Sequence, residues 1–153
     1  ENAFQDIWRF SRSGHAIVRN GKRFGLIDTQ GDLVMPMSAT KLRSNAGDCV
    51  VFGDTKKGVM TLAGEVLIEP AYKEIILPTH VDQPQSFLAA KGKSWRLIDR
   101  QNKEILRNKD FPAKPGTVGA TAYGNWYVNS GSNPGACFVD GSTFEIHVVE
   151  PKF

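Results

Sequence analysis

Cysteine and histidine are scarce in this chain, and neither is arranged for chemistry. Cys49 and Cys137 are the only cysteines, each inside an apolar, strand-like run (DCVVF and ACFVD). Buried free thiols acting as small apolar side chains are the expected reading, ahead of a disulfide. His15, His80 and His147 are scattered, and neither cysteine lies at zinc-ligand spacing from another donor. No metal site and no cofactor is therefore expected. Long apolar runs are missing too. None approaches the roughly 20 residues of a membrane-spanning helix, so no membrane insertion is expected. Charge of one sign is not in large excess: 19 Lys and Arg against 16 Asp and Glu leave a formal net charge of +3. That balance is too mild to point to a polyanion, and nucleic acid is not an expected partner. No signal peptide is evident, but the chain begins at Glu1 and not at Met, which leaves the compartment open.

Catalytic motifs are equally thin. Gly53 to Gly58 has the glycine spacing of a phosphate loop without the Lys-Ser/Thr that must follow it. There is no Gly-x-Ser-x-Gly elbow. An enzyme is not expected.

What the chain does contain is a repeat. Its 153 residues, 41% of them hydrophobic, suffice for one folded domain with a core. The stretch GLIDTQGDLVMP (Gly25 to Pro36) returns as GVMTLAGEVLIEP (Gly58 to Pro70) and as RLIDRQNKEIL (Arg96 to Leu106). A weaker fourth copy is CFVDGSTFEIHV, Cys137 to Val148. The anchors Asp28, Thr61, Asp99 and Asp140 stand 33, 38 and 41 residues apart, a spacing proper to repeat architectures. Upstream of the first three lie further strands: HAIVRN, DCVVF and SFLAA. Asn20-Gly21, Gly53-Asp54 and Lys91-Gly92 then mark hairpin turns.

Three residues after the anchor stand Gly31, Gly64 and Asn102, the types that tolerate left-handed backbone. An Asp at the anchor can accept backbone N–H bonds and so start a turn. Asp28, Asp99 and Asp140 are thus expected to be turn caps, not a catalytic carboxylate set. Pro36 and Pro70 are expected to end their strands. In the fourth copy Thr143 holds the Gly/Asn slot and Gly141 has moved forward, so a different turn is expected there.

The fold class that follows is all-β, with about four repeats of short antiparallel strands, three per repeat, stacked as an open or closed β-repeat domain. The repeats run approximately over residues 10–36, 42–70, 85–106 and 119–149 of a single domain, 1–153. The C-terminal part, 107–153, reads as degenerate or capping, and Phe4 to Phe10 as a cap at the other end.

These residues resemble the bacterial WG-repeat family, whose pattern is roughly F-x-x-G-x-A-x-V, a short turn, then W-G-x-I-D-x-x-G-x-x-V-x-P. Phe10, Gly14, Ala16 and Val18 fit the first half; Phe24, Gly25, Ile27, Asp28, Gly31 and Pro36 fit the second. The tryptophan survives only as Trp95, where Arg96 follows in place of glycine; Phe24, Lys57 and Ala136 replace it elsewhere. The match covers residues 10 to 106 well. The resemblance implies a bacterial protein–protein interaction module, with the periplasm or cell envelope preferred to the cytoplasm. An immunity or inhibitor protein that neutralises a secreted toxin or effector is a finer expectation. A glycan- or cell-wall-binding domain is the alternative, and needs two or more of Trp8, Trp95, Trp126, Tyr72 and Tyr123 flat on one surface.

Two stretches supply candidate binding residues. Lys91 to Lys114 is rich in basic residues: Lys91, Lys93, Arg96, Arg100, Lys103, Arg107, Lys109 and Lys114. They read either as a surface for an acidic partner or as charges on exposed turns and edges. The Gly-, Pro- and aromatic-rich segment from Arg107 to Gly135 interrupts the repeat, and Tyr123, Trp126 and Tyr127 could form a contact surface within it. Alternatively Trp126 and Val128 point inward as a strand of the fourth copy, with Tyr127 opposite. Trp8 and Trp95 are expected in the core. The binding set is Tyr123, Trp126, Tyr127, Arg107, Lys109 and Lys114.

Overall fold

The computed structural model describes residues 4–38, 40–78, 81–107, 117–120, 126–129, 136–140 and 143–149. All its regular elements are strands, in four antiparallel sheets of four strands each, in chain order within every sheet. The first holds β1 (Asp6–Ile7), β2 (Ala16–Asn20), β3 (Arg23–Ile27) and β4 (Leu33–Ser38). The second holds β5 (Leu42–Ala46), β6 (Cys49–Phe52), β7 (Lys57–Thr61) and β8 (Val66–Tyr72). The third holds β9 (Glu74–Ile76), β10 (Ser86–Lys91), β11 (Ser94–Asp99) and β12 (Glu104–Arg107). The fourth holds β13 (Thr117–Ala120), β14 (Trp126–Asn129), β15 (Ala136–Val139) and β16 (Ile146–Val149). Each three-strand unit legible in the sequence is extended by one leading strand. That is the size and order of a propeller blade.

Strand periodicity decides how the sheets pack. Successive side chains point to opposite faces, so a strand with apolar residues on both parities must be covered on both sides. Ile17 and Leu26 of the first sheet meet Leu42, Val50, Met60 and Leu62 on the near side of the second. The alternate residues Cys49, Val51, Val59 and Ile68 meet Ile75, Phe87, Ala89 and Ile98 of the third. The third sheet's remaining parity, Leu88 and Leu97, packs on Trp126 and Val139 of the fourth. Each fully buried side chain of this size contributes about 1.5–3 kcal/mol. On the far face of the first sheet, Phe4 and Met37 pack against Ala16, Val18 and Ile27. Phe4 thus covers an end of the stack, and Asp6–Ile7 is that sheet's first strand.

The repeated turns behave as their residue types require. Asp28 Oδ1 accepts from the backbone N–H of Gln30 and Asp32, both at 2.9 Å. Asp99 Oδ1 accepts from those of Gln101 (3.0 Å) and Lys103 (2.8 Å). The Thr61 hydroxyl makes a single such bond, from Glu65 N at 3.1 Å. Gly31, Gly64 and Asn102 have φ of 88°, 92° and 63°. Beside each turn the ladder slips: Leu26 faces Met35 and Ile27 faces Leu33, and the same shift falls between Val59 and Met60 and between Leu97 and Ile98. That slip is a β-bulge. The fourth copy has none: Phe138 faces His147 and Val139 faces Ile146. Its turn is longer instead, closing from Asp140 N to Glu145 O, and the left-handed residue is Phe144, at φ 63°. We expect Asp99→Ala to cost about 1–2 kcal/mol, since two backbone donors lose their acceptor. Urea denaturation of the pair of proteins measures this, and a loss under about 0.3 kcal/mol removes the cap.

The prolines correct an expectation. β4 runs on through Pro36 and β8 through Pro70. Both lie where the ladder shifts, between the pairs Phe24–Ser38 and Leu26–Met35 and between Lys57–Tyr72 and Val59–Ile68. Opposite these second bulges sit Gly25 and Gly58. A Cβ on Gly58 would lie 2.3 Å from the Ile68 carbonyl oxygen and 2.9 Å from Pro70 N. In the third copy Arg96 replaces the glycine and Arg107 is its partner, and there the pairing is regular. Glycine and proline therefore work together: one removes the side chain that would block the bulge, the other a ladder donor.

Candidate binding surface

Of the sequence-derived binding residues, Trp126, Tyr127 and Arg107 lie among the described residues. Trp126 is 1% exposed, and its Nε1 donates to Ser86 Oγ at 2.9 Å. It is a core residue between the third and fourth sheets, and its place in an exposed contact surface is corrected accordingly. Tyr127 is half-buried and pairs across the ladder with Phe138, on the face of the fourth sheet opposite Trp126. Arg107 is exposed and ion-paired with Glu104. Tyr123, Lys109, Lys114 and His80 lie outside the described residues.

The basic run from Lys91 divides. Lys91 and Lys93 sit at the β10–β11 hairpin, while Arg100 and Lys103 sit in the β11–β12 turn at the other end of those strands. Arg96 lies in mid-strand, its Nη1 2.7 Å from Glu104 Oε2. Arg100 is structural: its two terminal nitrogens meet the two oxygens of Asp48 at 3.3 and 3.1 Å, and Nη1 also donates to the Pro84 carbonyl at 3.1 Å. It ties the third sheet to the loop that opens β6.

The aromatic residues also sort themselves. Trp95 is partly buried against the Leu88–Trp126 cluster, as expected. Trp8 is not in the core: it is 43% exposed and tilted against Phe24, ring centroids 6.3 Å apart. Tyr72 is buried and donates to Asn102 Oδ1 at 2.7 Å. Of the described aromatics named for glycan binding, Trp8 alone is largely exposed, so they do not form a flat platform.

Cys49 is fully buried, and desolvation is the main reason its thiol is pushed up to about 12. The sign follows. Between the ordinary thiol value near 9 and about 12, the unfolded chain loses this proton and the folded chain keeps it, so stability falls as pH rises through that window. At pH 8 we expect a disulfide reagent such as Ellman's to leave Cys49 unmodified in the native protein and to react after denaturation. Mass mapping of rapid native labelling at this residue would contradict its burial.

A surface that sequence order hides forms at the hairpin end of the stack. The β2–β3 and β6–β7 turns and the β4–β5 connection meet there: Gly53 N donates to Lys41 O at 3.2 Å. Between the first two sheets they leave an open groove of about 700 Å³, lined by Arg19, Gly21, Lys22, Phe24, Lys41, Asp54 and Thr55. Phe24 supplies an apolar floor continuous with the core. Lys57, at the position where the repeat pattern puts tryptophan, is buried and donates from Nζ to the Gly53 carbonyl at 2.7 Å and to that of Asp54. It fastens the turn that forms one wall. The signal in sequence was the recurrence of a hairpin followed by basic residues in three copies; their convergence requires the stacking.

No family model matches the sequence, and no curated protein matches it. Among solved structures, the chain is similar to HIRA(644-1017), at 12% identity over 95% of this chain and 54% of that one, with a TM-score of 0.51. It also matches the WD40 β-propeller domain of Doa1, at 12% identity over 95% of this chain and 53% of that one (TM-score 0.43). A protein of unknown function from Bacteroides caccae matches at 13% identity over 92% and 58% (TM-score 0.38). The chain spans little more than half the length of each of these structures. At such identities the likeness concerns the fold, an all-β repeat of small antiparallel sheets.

Proposed function

We propose that this chain is a protein-binding β-repeat module. The observation that supports it best is the groove between the first two sheets, a concave surface with an apolar floor and a polar rim contributed by separate hairpins. Such composite loop surfaces on a rigid sheet scaffold suit recognition. The side chains the repeat reuses in each copy, Asp28, Thr61, Asp99 and Asp140, are engaged with backbone in their own turns.

The finer proposal keeps the WG-repeat resemblance and with it a bacterial partner, a secreted toxin or effector whose active site the chain covers as an immunity protein does. What supports it is the repeat pattern itself and the lack of recognisable catalytic motifs in the sequence.

The test is capture from a source lysate followed by reconstitution: a protein recovered in stoichiometric amount is purified and titrated against the chain by calorimetry. A one-to-one complex with micromolar or tighter affinity bears the reading out. Recovery of cell-wall glycan, with no protein that rebinds in purified form, would overturn it.

A further inference from the structure

The charges are sorted along the strands, although the whole chain is near neutral. At the hairpin end stand Lys22 and Arg23 of the first sheet, Lys56 of the second, and Lys91 and Lys93 of the third, all exposed. Two connections add to the same end: Lys41 precedes β5, and Lys73 lies between β8 and β9, its N–H bonded to Ala90 O at 2.9 Å. The acidic residues there are few. Asp6 is ion-paired with Arg19, and Asp54 and Glu74 are exposed. At the opposite end the balance reverses: Asp32, Glu65 and Glu145 follow the anchors, and Asp48 and Asp82 lie in the neighbouring loops. The cations there are engaged in part, Arg100 with Asp48 and Arg12 with Asp82.

Three hairpins side by side thus present a positive face with an apolar slot beside it. We propose that this face binds an acidic peptide segment of a partner protein, its carboxylates on the lysine rim and one aromatic or aliphatic side chain seated on Phe24 in the groove. This rests on the protein-binding reading and supplies the partner's chemistry. Charge complementarity selects the acidic ligand, and the groove selects a peptide over a nucleic acid. A phosphate backbone would be held by charge alone and would leave the apolar floor unused. Single-stranded nucleic acid further needs exposed aromatic faces for bases to stack on. Phe24 is half-buried and packed into the core cluster, so it offers a floor and not a platform, and Trp8, the exposed ring tilted against it, is not part of the groove lining.

The experiment is an array of about twelve-residue peptides in which acidic and aromatic content are varied independently, probed with labelled chain and followed by anisotropy titration of the best sequences. We expect peptides combining Glu or Asp with Phe to bind best, and K22E/K41E to weaken them about tenfold or more, roughly 1.4 kcal/mol. Both lysines are exposed, so the fold should be unchanged, which a thermal melt verifies. K103E, at the opposite end, should leave binding within about twofold. If peptides bind without preference for acid, or if K22E/K41E binds them as the parent does, the proposal is overturned while protein binding by another surface stands. If no peptide binds but a dT oligonucleotide does, this face is a polyanion site and the proposal fails. The calorimetric titration of the captured partner separately decides the broader reading.

Discussion

Gly58→Ala should lower stability by about 2–4 kcal/mol. The added Cβ would sit 2.3 Å from Ile68 O and 2.9 Å from Pro70 N. Both are backbone atoms, so no rotamer change relieves the overlap. The bulge in β8 must open, and with it the position of Ile68, which is buried between the second and third sheets. Gly25 is the internal control. Its nearest neighbour would be the Met37 Sδ, at 2.7 Å, the far end of a flexible side chain, with Met35 O next at 3.0 Å. Gly25→Ala should therefore cost about 1–2 kcal/mol. Chemical denaturation of the two variants compares them directly. Equal and small losses would show that the bulges do not depend on glycine.

The second large effect is expected at Trp126. Truncation to alanine removes the largest fully buried side chain in the described residues and leaves a void against Leu88, Leu97 and Val139. Cavities of this kind cost about 3–5 kcal/mol. Against a typical domain stability of about 5–15 kcal/mol, that is enough to release the fourth sheet. Hydrogen exchange should report it as lost protection in β14 and β15, with the first two sheets less affected. Trp8→Ala should change stability by less than about 1 kcal/mol, because that ring is 43% exposed. Fluorescence separates the two in the parent protein: acrylamide should quench Trp8 readily and Trp126 poorly. A Trp126 as accessible as Trp8 would contradict the packing of the fourth sheet.

The turns were the most legible part of the fold. Asp28 and Asp99, with Gly31 and Asn102 three residues later, fix a local conformation through chemistry that needs no knowledge of the rest of the chain. The unbroken apolar runs of β2, β6 and β10 were equally plain, and apolar residues on both parities are why each of those strands is covered on both faces. The leading strands were not legible. β1 has two residues and β5 reads LRSNA, so their pairing rests on backbone bonds with neighbours and leaves no apolar pattern to find. Trp126 could not be assigned from sequence because aromatic residues in a Gly- and Pro-rich segment suit a surface and a strand alike. The positive face was invisible for a different reason. Lys22, Lys41, Lys56 and Lys91 are far apart in the chain, and a run of charge in sequence, such as Lys91 to Lys103, is divided between the two ends of the strand β11 that it contains.

The fourth copy's turn says something about how such an array tolerates change. In the first three copies the residue two before the anchor pairs with the residue seven after it: Leu26 with Met35, Val59 with Ile68, Leu97 with Leu106. In the fourth, Phe138 pairs with His147, the same offset, although the bulge has gone and the turn has gained a residue. A surplus residue can therefore be lodged in the ladder or in the loop without changing which side chains look inward. A lineage free to trade one for the other can insert, delete and drift at such a turn while the interior stays in phase. These anchor turns, at the end of the stack opposite the lysine-bearing hairpins, are then the part of the molecule at liberty to diversify.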